Sequence, residues 1–342
     1  MKRNRTLAAA FAVLVTAVVA LSILAGLAGA AAKKETITGA GSTFVAPLVA
    51  QWTAHYSPAE INYSAVGSGA GIAQISARTV DFGASDAPFS PDQATACKGC
   101  LQIPWALAAT LVSYHLDGAP ARLKLSGPVL AGIYLGRITR WNDPQIAALN
   151  AGATLPATRI TPVFRSDSSG DTYAFTDFLA KISPAWKAQK GFSTQVSFST
   201  GVGGKGNDGV AALVQRTDGA LGYLAIPYVF ANKLDYALVQ NAAGKFPAPG
   251  AASITAAAKA VTAIPPDNAI SLTDPPASAA GAYPISTFTY ALVPESSSKA
   301  KTLRDFFTYA IGPGQRFGAK LQFAPLPPHV LEAGRETVAK IR

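Results

Sequence analysis

Apolar positions recur along this chain with two alternating periods. Val45, Leu48, Val49, Trp52 and Tyr56 are spaced to share one helical face, and the helix they predict follows a short strand from Thr36 to Gly41. Glu60 to Val66 alternates as a strand does. A helix over about Ala70 to Ala77 turns Ile72 and Ile75 inward, and Val80 to Ala84 reads as a buried strand. This strand–helix rhythm predicts an α/β architecture. Further strands are expected at Ala106 to Leu116, Thr158 to Phe164, Ala220 to Ile226 and Ile285 to Val293. Short helical segments fall between Leu130 and Asn150. Phe175, Phe178, Leu179 and Ile182 predict a helix, as do Val210, Leu213 and Val214, and then Leu303, Phe306 and Phe307. A last helix begins near His329. Gly201 to Gly209 reads as a glycine-rich turn. Residues 246–283, rich in Ala and Pro, read as a surface region with one short helix.

Composition narrows the setting. The 342 residues are 49% hydrophobic, enough for about two domains with buried cores. Lys and Arg exceed Asp and Glu by ten, and Lys2, Arg3 and Arg5 stand at the very start. Leu7 to Ala30 carries no charge, and small residues at Ala28-Gly29-Ala30 and Ala30-Ala31-Ala32 follow. That order predicts a cleaved export signal over 1–32. The apolar run is also long enough to span a bilayer. Two small-residue sites before Lys33-Lys34-Glu35 favour cleavage, and no Cys stands there for a lipid anchor. The expected location is outside the cytoplasm, where nucleic acid is no partner; the basic balance favours anionic partners in general, an anionic lipid or a small anion. In an oxidising compartment Cys97-Lys98-Gly99-Cys100 is expected to form a small structural disulfide in a surface loop. His55, His115 and His329 show no ligand spacing, so no metal or cofactor is expected.

Three segments share one arrangement. Gly41-Ser42-Thr43-Phe44, Gly67-Ser68-Gly69 and Ser168-Ser169-Gly170 each put hydroxyls and small residues between a strand and a helix start. A helix start offers unpaired N–H groups and partial positive charge, so three of them can converge on one anion; singly, each is an ordinary cap. Arg165 precedes the third, and its planar fork can grip two oxygens, with Asp167 placed to hold it; the bland reading is a surface ion pair. Asp86 follows an apolar strand end. It can accept a proton that phosphate carries at neutral pH and sulfate lacks, or equally serve as a helix N-cap.

Five segments, Thr38 to Phe44, Val80 to Pro88, Ile133 to Asp143, Arg165 to Thr172 and Gly203-Gly204-Lys205-Gly206-Asn207-Asp208-Gly209, resemble in order the periplasmic phosphate-binding component of the high-affinity phosphate ABC transporter. The likeness runs from about Thr36 to the C-terminal helix and is thinnest over 246–283. It implies a two-lobed type II periplasmic-binding fold: lobe one from 33–112 with 288–342, lobe two from 113–287, joined by crossovers near Ala106–Leu116 and Pro284–Thr289. It implies phosphate binding by Thr43, Phe44, Ser68, Asp86, Arg165, Ser169, Gly170 and Asp171, with Asp167 orienting Arg165. The expected partners are inorganic phosphate and a membrane-embedded permease with its ATPase, met by a periplasmic monomer. The chain departs from the family at Asp171, where threonine is usual: its N–H still donates, but a hydroxyl is replaced by an acid. Thr172 can substitute if the turn shifts by one, or Asp171 can face outward as a cap.

Other functions are less well supported. Gly201-x-Gly203-x-x-Gly206 fits a dinucleotide pattern alone, and Gly204-Lys205 lacks the rest of a phosphate-binding loop. A secreted phosphatase needs a metal cluster or an activated nucleophile. Arsenate or sulfate remain alternative ligands.

Overall fold

A computed structural model describes residues 34–342; the expected export segment lies outside them. No helix among the described residues is long and apolar enough to cross a membrane. The chain opens with β1 (Thr36–Gly41), α1 (Ala46–His55), β2 (Glu60–Ala65), α2 (Ser68–Ser76), β3 (Phe82–Ser85), α3 (Pro91–Cys97) and the long β4 (Cys100–Tyr114). It continues through β5 (Lys124–Leu125), α4 (Gly127–Tyr134), α5 (Pro144–Leu149), β6 (Thr161–Arg165), α6 (Gly170–Ile182) and α7 (Pro184–Gln189). Then come β7 (Val202–Gly204), α8 (Gly206–Arg216), β8 (Ala220–Ala225), α9 (Ile226–Ala231), β9 (Asp235–Tyr236), β10 (Leu238–Val239) and α10 (Ala251–Lys259). The last elements are β11 (Ser286–Pro294), α11 (Ala300–Ile311) and α12 (Pro328–Ala339).

Among the described residues one sheet runs β2-β1-β3-β11-β4-β8-β6-β7, with β9 also on β4. Within it β1, β2 and β3 are parallel, and so are β6, β7 and β8. Parallel strands need helical crossovers, which bury both faces; β3 and β8 are accordingly buried along their whole length. Strand β4 joins the two sets. Its first part, Cys100 to Ala109, pairs antiparallel with β11, and Thr110 to Tyr114 pair antiparallel with β8. The C-terminal ends of β1, β3, β6 and β8 are where the chain turns into loops and helix starts, the usual location of a ligand crevice in α/β sheets.

Each strand set has its own aromatic core. Phe82 meets Trp105, Phe306 and Phe307 on one side. On the other, Phe175 stacks on Tyr223 with ring centroids 4.5 Å apart, and Tyr134 meets Phe175 edge-on at 4.9 Å. All of these are buried, and rings of this size dominate the burial that holds each half together.

The structure differs from the expected elements in three places. Strand β4 begins at Cys100 rather than Ala106. Pro104 argues against a central strand in sequence, because it has no N–H for the ladder. Here the register shifts: Ala106 faces Thr289, whereas Pro104 faces Tyr290. Trp105 is therefore the extra residue of a bulge, which absorbs the proline. Gly201 to Gly209 is not one turn but β7 followed by the start of α8, because Val202 to Gly204 pairs in parallel with β6. Third, Cys97 and Cys100 lie outside a simple loop: Cys97 ends α3, whose Ser90 and Gln93 form a capping box, and Cys100 begins β4.

The two cysteines are joined in a disulfide. Lys98 (φ 45°) and Gly99 (φ 81°) make the tight turn between them, and Arg78 reaches over it to the carbonyls of Ile75, Cys97 and Lys98. So short a closed loop restricts the unfolded chain little. Replacing both cysteines by serine is expected to lower stability by about 2 kcal/mol on the loop-entropy relation, read from urea unfolding with an unchanged slope.

Candidate anion-binding site

Strand β1 ends at Gly41, whose amide plane lies so close to β3 that a Cβ there would fall 2.1 Å from the Ala84 carbonyl oxygen. Only glycine permits that approach, at φ 144°. The next residue, Ser42, donates from its backbone N–H to Ala84 O. Its Oγ accepts from the N–H groups of Phe44 (3.0 Å) and Val45 (3.3 Å) and donates to Asp86 Oδ1 at 2.5 Å. Ser68, in the first turn of α2, donates to Asp86 Oδ2 at 3.2 Å and accepts from Asp86 N and from Gly170 N at 3.1 Å. Both oxygens of Asp86 are thus held by serine hydroxyls. Gly170 starts α6, so this bond also joins the two strand sets. A Cβ on Gly170 would lie 2.3 Å from Asp86 Cβ.

The second half of the cradle begins where β6 ends. Arg165 grips Asp167 bidentately through Nε (2.8 Å) and one terminal nitrogen (2.5 Å), and its other terminal nitrogen donates to Asp171 Oδ2 at 2.8 Å. A guanidinium has five N–H bonds, so one hydrogen on each terminal nitrogen stays outside these three contacts. Asp167 also accepts from Gly206 N at 2.9 Å. Ser169 is the N-cap of α6: its Oγ accepts from Asp171 N and Thr172 N, which leaves its own hydrogen for another acceptor. Of the three helix starts, this is the one capped by its own side chain; Val45 and Gly67 cap α1 and α2 without a side-chain bond.

Asp171 turns inward and is 0% exposed. Its oxygens accept from Thr110 Oγ1 (2.9 Å), Arg165 and Asn207 Nδ2 (2.9 Å). It is not an outward cap. Thr172 does not replace the missing hydroxyl, because its Oγ1 pairs with Tyr223 at 2.8 Å. Asp86 is no N-cap either; the helix that follows it is capped by Ser90. Arg165 and Asp167 are not a surface pair, since the arginine side chain is 1% exposed.

Electrostatics separate the two acids. Burial pushes Asp86 up to about 7, and the charge of Asp171 adds to that. Burial also raises Asp171, while the Arg165 guanidinium and the bonds from Asn207 and Thr110 pull it back. The pair titrates together. With a cation and two further donors on it, Asp171 ionises first, and Asp86 holds the remaining proton. Asp167, by contrast, lies below the usual carboxylate range, since Arg165 outweighs its burial.

The chain as a whole is similar to known proteins. A model of the PBP superfamily domain matches residues 27–313. A phosphate-binding protein PstS of Xylella fastidiosa is 42% identical over 308 residues, which cover 88% of this chain and 84% of that protein. One from Pasteurella multocida is 39% identical over 320 residues, covering 91% and 92%. The chain belongs to the PstS family of the PBP superfamily. Among solved structures, a high affinity periplasmic phosphate-binding protein, PfluDING, bound with phosphate, aligns with TM-score 0.72 at 24% identity, covering 88% of this chain and 93% of that one. A phosphate-binding protein from Stenotrophomonas maltophilia aligns with TM-score 0.71 at 23% identity over 88% and 93%. At these identities the likeness establishes the fold, a two-lobed PBP type II-like α/β architecture.

Every residue expected at the site in this PstS-family chain is brought to one place, but several donors have protein partners. The N–H of Phe44 points to Ser42, that of Gly170 to Ser68, and the hydroxyl of Ser68 to Asp86. Five participants escaped the residue-by-residue reading. Ser42 holds Asp86, and Thr110 and Asn207 hold Asp171. Tyr63 and Tyr228 donate to the carbonyls of Ser42 and Thr43, each at 2.7 Å. Ser42 and Asn207 stand inside the segments that carry the family likeness. Thr110 sits unmarked in an apolar strand, and no local pattern flags the two tyrosines.

Proposed function

We propose that this protein captures inorganic phosphate outside the cytoplasm and delivers it to the membrane permease of an ABC transporter. The observation that carries the reading is the pairing of a buried arginine fork with a buried carboxyl, Asp86, poised near neutral pH. The arginine supplies charge and bidentate geometry for an oxyanion. The carboxyl reads whether the anion brings a proton. At neutral pH phosphate donates one to an Asp86 oxygen, whereas sulfate presents only lone pairs. Thr43 and Ser169 add hydroxyls, and the N–H groups of Phe44, Gly170 and Asp171 line the helix starts; an entering anion exchanges these for their present serine partners. Ser68 then acts by holding Asp86. Asp171 serves chiefly as a counter-charge that orients Arg165.

In this reading lobe one consists of residues 33–112 with 288–342, and lobe two of 113–287, with the crossovers in β4 and at the start of β11. Thr43, Phe44, Ser68 and Asp86 come from the first and Arg165, Ser169, Gly170 and Asp171 from the second. Phosphate bridges them and favours the closed form that a permease recognises. The expected export segment supports a periplasmic location, where the protein acts as a monomeric binding protein and not as an enzyme. Two relatives named phosphate-binding protein PstS, at 39–42% identity, support the ligand.

The test is isothermal titration with phosphate and sulfate at pH 9, where Asp86 is ionised. Tight phosphate binding is expected, with sulfate weaker by about two orders of magnitude, the cost of protonating Asp86 two units above its value of about 7 before it can donate to sulfate. Equal affinity for the two anions would defeat the role given to Asp86. Release of phosphate from an ester substrate would defeat the pure binding function.

A further inference from the structure

Asn207 is fully buried (0% exposed) in the first turn of α8. Its side chain touches three groups. The Nδ2 donates to Thr43 Oγ1 at 2.8 Å and to Asp171 Oδ2 at 2.9 Å, and the Oδ1 accepts from Ala225 N at 2.7 Å. The last bond settles which way the amide faces. A backbone N–H can only donate, so the atom opposite it is oxygen, and the NH2 group must face Thr43 and Asp171. A hydroxyl that accepts from an amide NH2 keeps its own hydrogen, and that NH2 cannot take it. The Thr43 hydrogen is left to an acceptor in the cradle. The same NH2 holds Asp171 Oδ2 beside the Arg165 nitrogen, so that this carboxylate faces the guanidinium.

We infer that Asn207 is a positioning residue that commits the Thr43 hydroxyl to donating to the bound anion and ties that donor, on the β1–α1 loop, to the Arg165–Asp171 pair. Thr43 and Asn207 lie 164 positions apart and on opposite sides of the proposed cleft. Their bond exists only when the two sides meet. Asn207 therefore stabilises the closed, loaded protein and contributes nothing to first encounter. The inference rests on the phosphate-binding function above.

It is tested by stopped-flow phosphate binding to the full chain and its variants. Asn207→Ala is expected to raise Kd about 10- to 100-fold, the loss expected for bonds to a charged and a neutral partner in a dry site. The change should lie in koff, with kon within about twofold of the original. Asn207→Asp keeps the shape and the Ala225 bond. It reverses the Thr43 contact, because a carboxylate accepts the hydroxyl hydrogen, and it sets a second negative charge against Asp171. Its deficit should exceed that of the alanine variant at pH 8 and shrink at pH 5, where the new acid is protonated.

A double-mutant cycle supplies the readout that a merely structural role would not move. Thr43→Val should cost at least about tenfold in the original chain but under about threefold on the Asn207→Ala background. If circular dichroism shows Asn207→Ala unfolded, the Asp variant and a cycle built on it decide. Additive losses, a fall in kon in place of a rise in koff, or an unchanged Kd would overturn the role of Asn207 alone. Absence of phosphate binding by the original chain would overturn the function itself, and this inference with it.

Discussion

Arg165→Ala is expected to abolish measurable phosphate binding and to unfold the chain at markedly lower urea concentration. Arg165 is the cation on which both Asp167 and Asp171 converge, at 2.5 and 2.8 Å. Its removal leaves Asp171, 0% exposed, without its charged partner. Taking one member from a buried pair typically costs about 3–5 kcal/mol, because the stranded charge can neither hydrate nor pair. The cost should shrink in acid, where Asp171 takes up a proton. Binding suffers separately. Among the described residues the fork supplies the only charged donors that touch the cradle, and loss of a charge-assisted bidentate contact in a dry site is worth about three orders of magnitude in Kd. Arg165→Lys is the informative companion. It restores the charge without the planar fork and cannot hold Asp167 at two points, so titration should find it intermediate in affinity. An alanine variant that binds phosphate as tightly as the original chain would remove Arg165 from the site.

Asp86→Asn should change selectivity more than affinity, and it should reverse a pH dependence. In the original chain the phosphate-to-sulfate affinity ratio is expected to fall as pH drops below about 7, because protonated Asp86 can then donate to sulfate. The asparagine variant donates at every pH, so its ratio should be lower by about tenfold at pH 8 and nearly flat across pH. Stability without ligand follows a related rule. Asp86 titrates near 7 in the folded chain against an ordinary value of 3.8, so the folded state binds more protons than the unfolded state between these values. Stability must therefore fall as pH rises from about 4 to 7, and the loss levels off above the folded value. A shift of this size corresponds to an effect on the order of 4 kcal/mol. Asp86→Asn removes the share of the slope that Asp86 contributes and should leave the variant more stable than the original above pH 7. Urea unfolding at a series of pH values measures it. A slope undiminished by the substitution would assign the titration to Asp171 or another buried acid.

Much of this protein can be read along its chain. The alternating periods reveal β1, α1, β2, α2, β6, α6 and β11, because burial of one face imposes a spacing that survives in a single sequence. Glycine and hydroxyl residues at the strand ends mark the three helix starts, because close backbone approach and anion contact both demand small donors there. Local pattern fails where a residue's partner is remote. Pro104 has no N–H for a ladder, and only the Trp105 bulge against Tyr290 lets it lie in a central strand. The Gly201 to Gly209 segment reads as a turn, and only pairing with β6 makes part of it a strand.

The sequence by itself determined the α/β class, the position of the helix starts and the chemical kinds of the site residues, since these follow from local spacing and side-chain type. Tertiary structure alone decided what each acid does. Asp86 and Asp171 are the same residue type, each at the turn from a strand toward a helix. The first is held by two serine hydroxyls and titrates at about 7; the second faces Arg165, Thr110 and Asn207 and ionises before it. Those partners stand up to 61 positions away in the chain, and a carboxyl's proton affinity is set by what surrounds it in space.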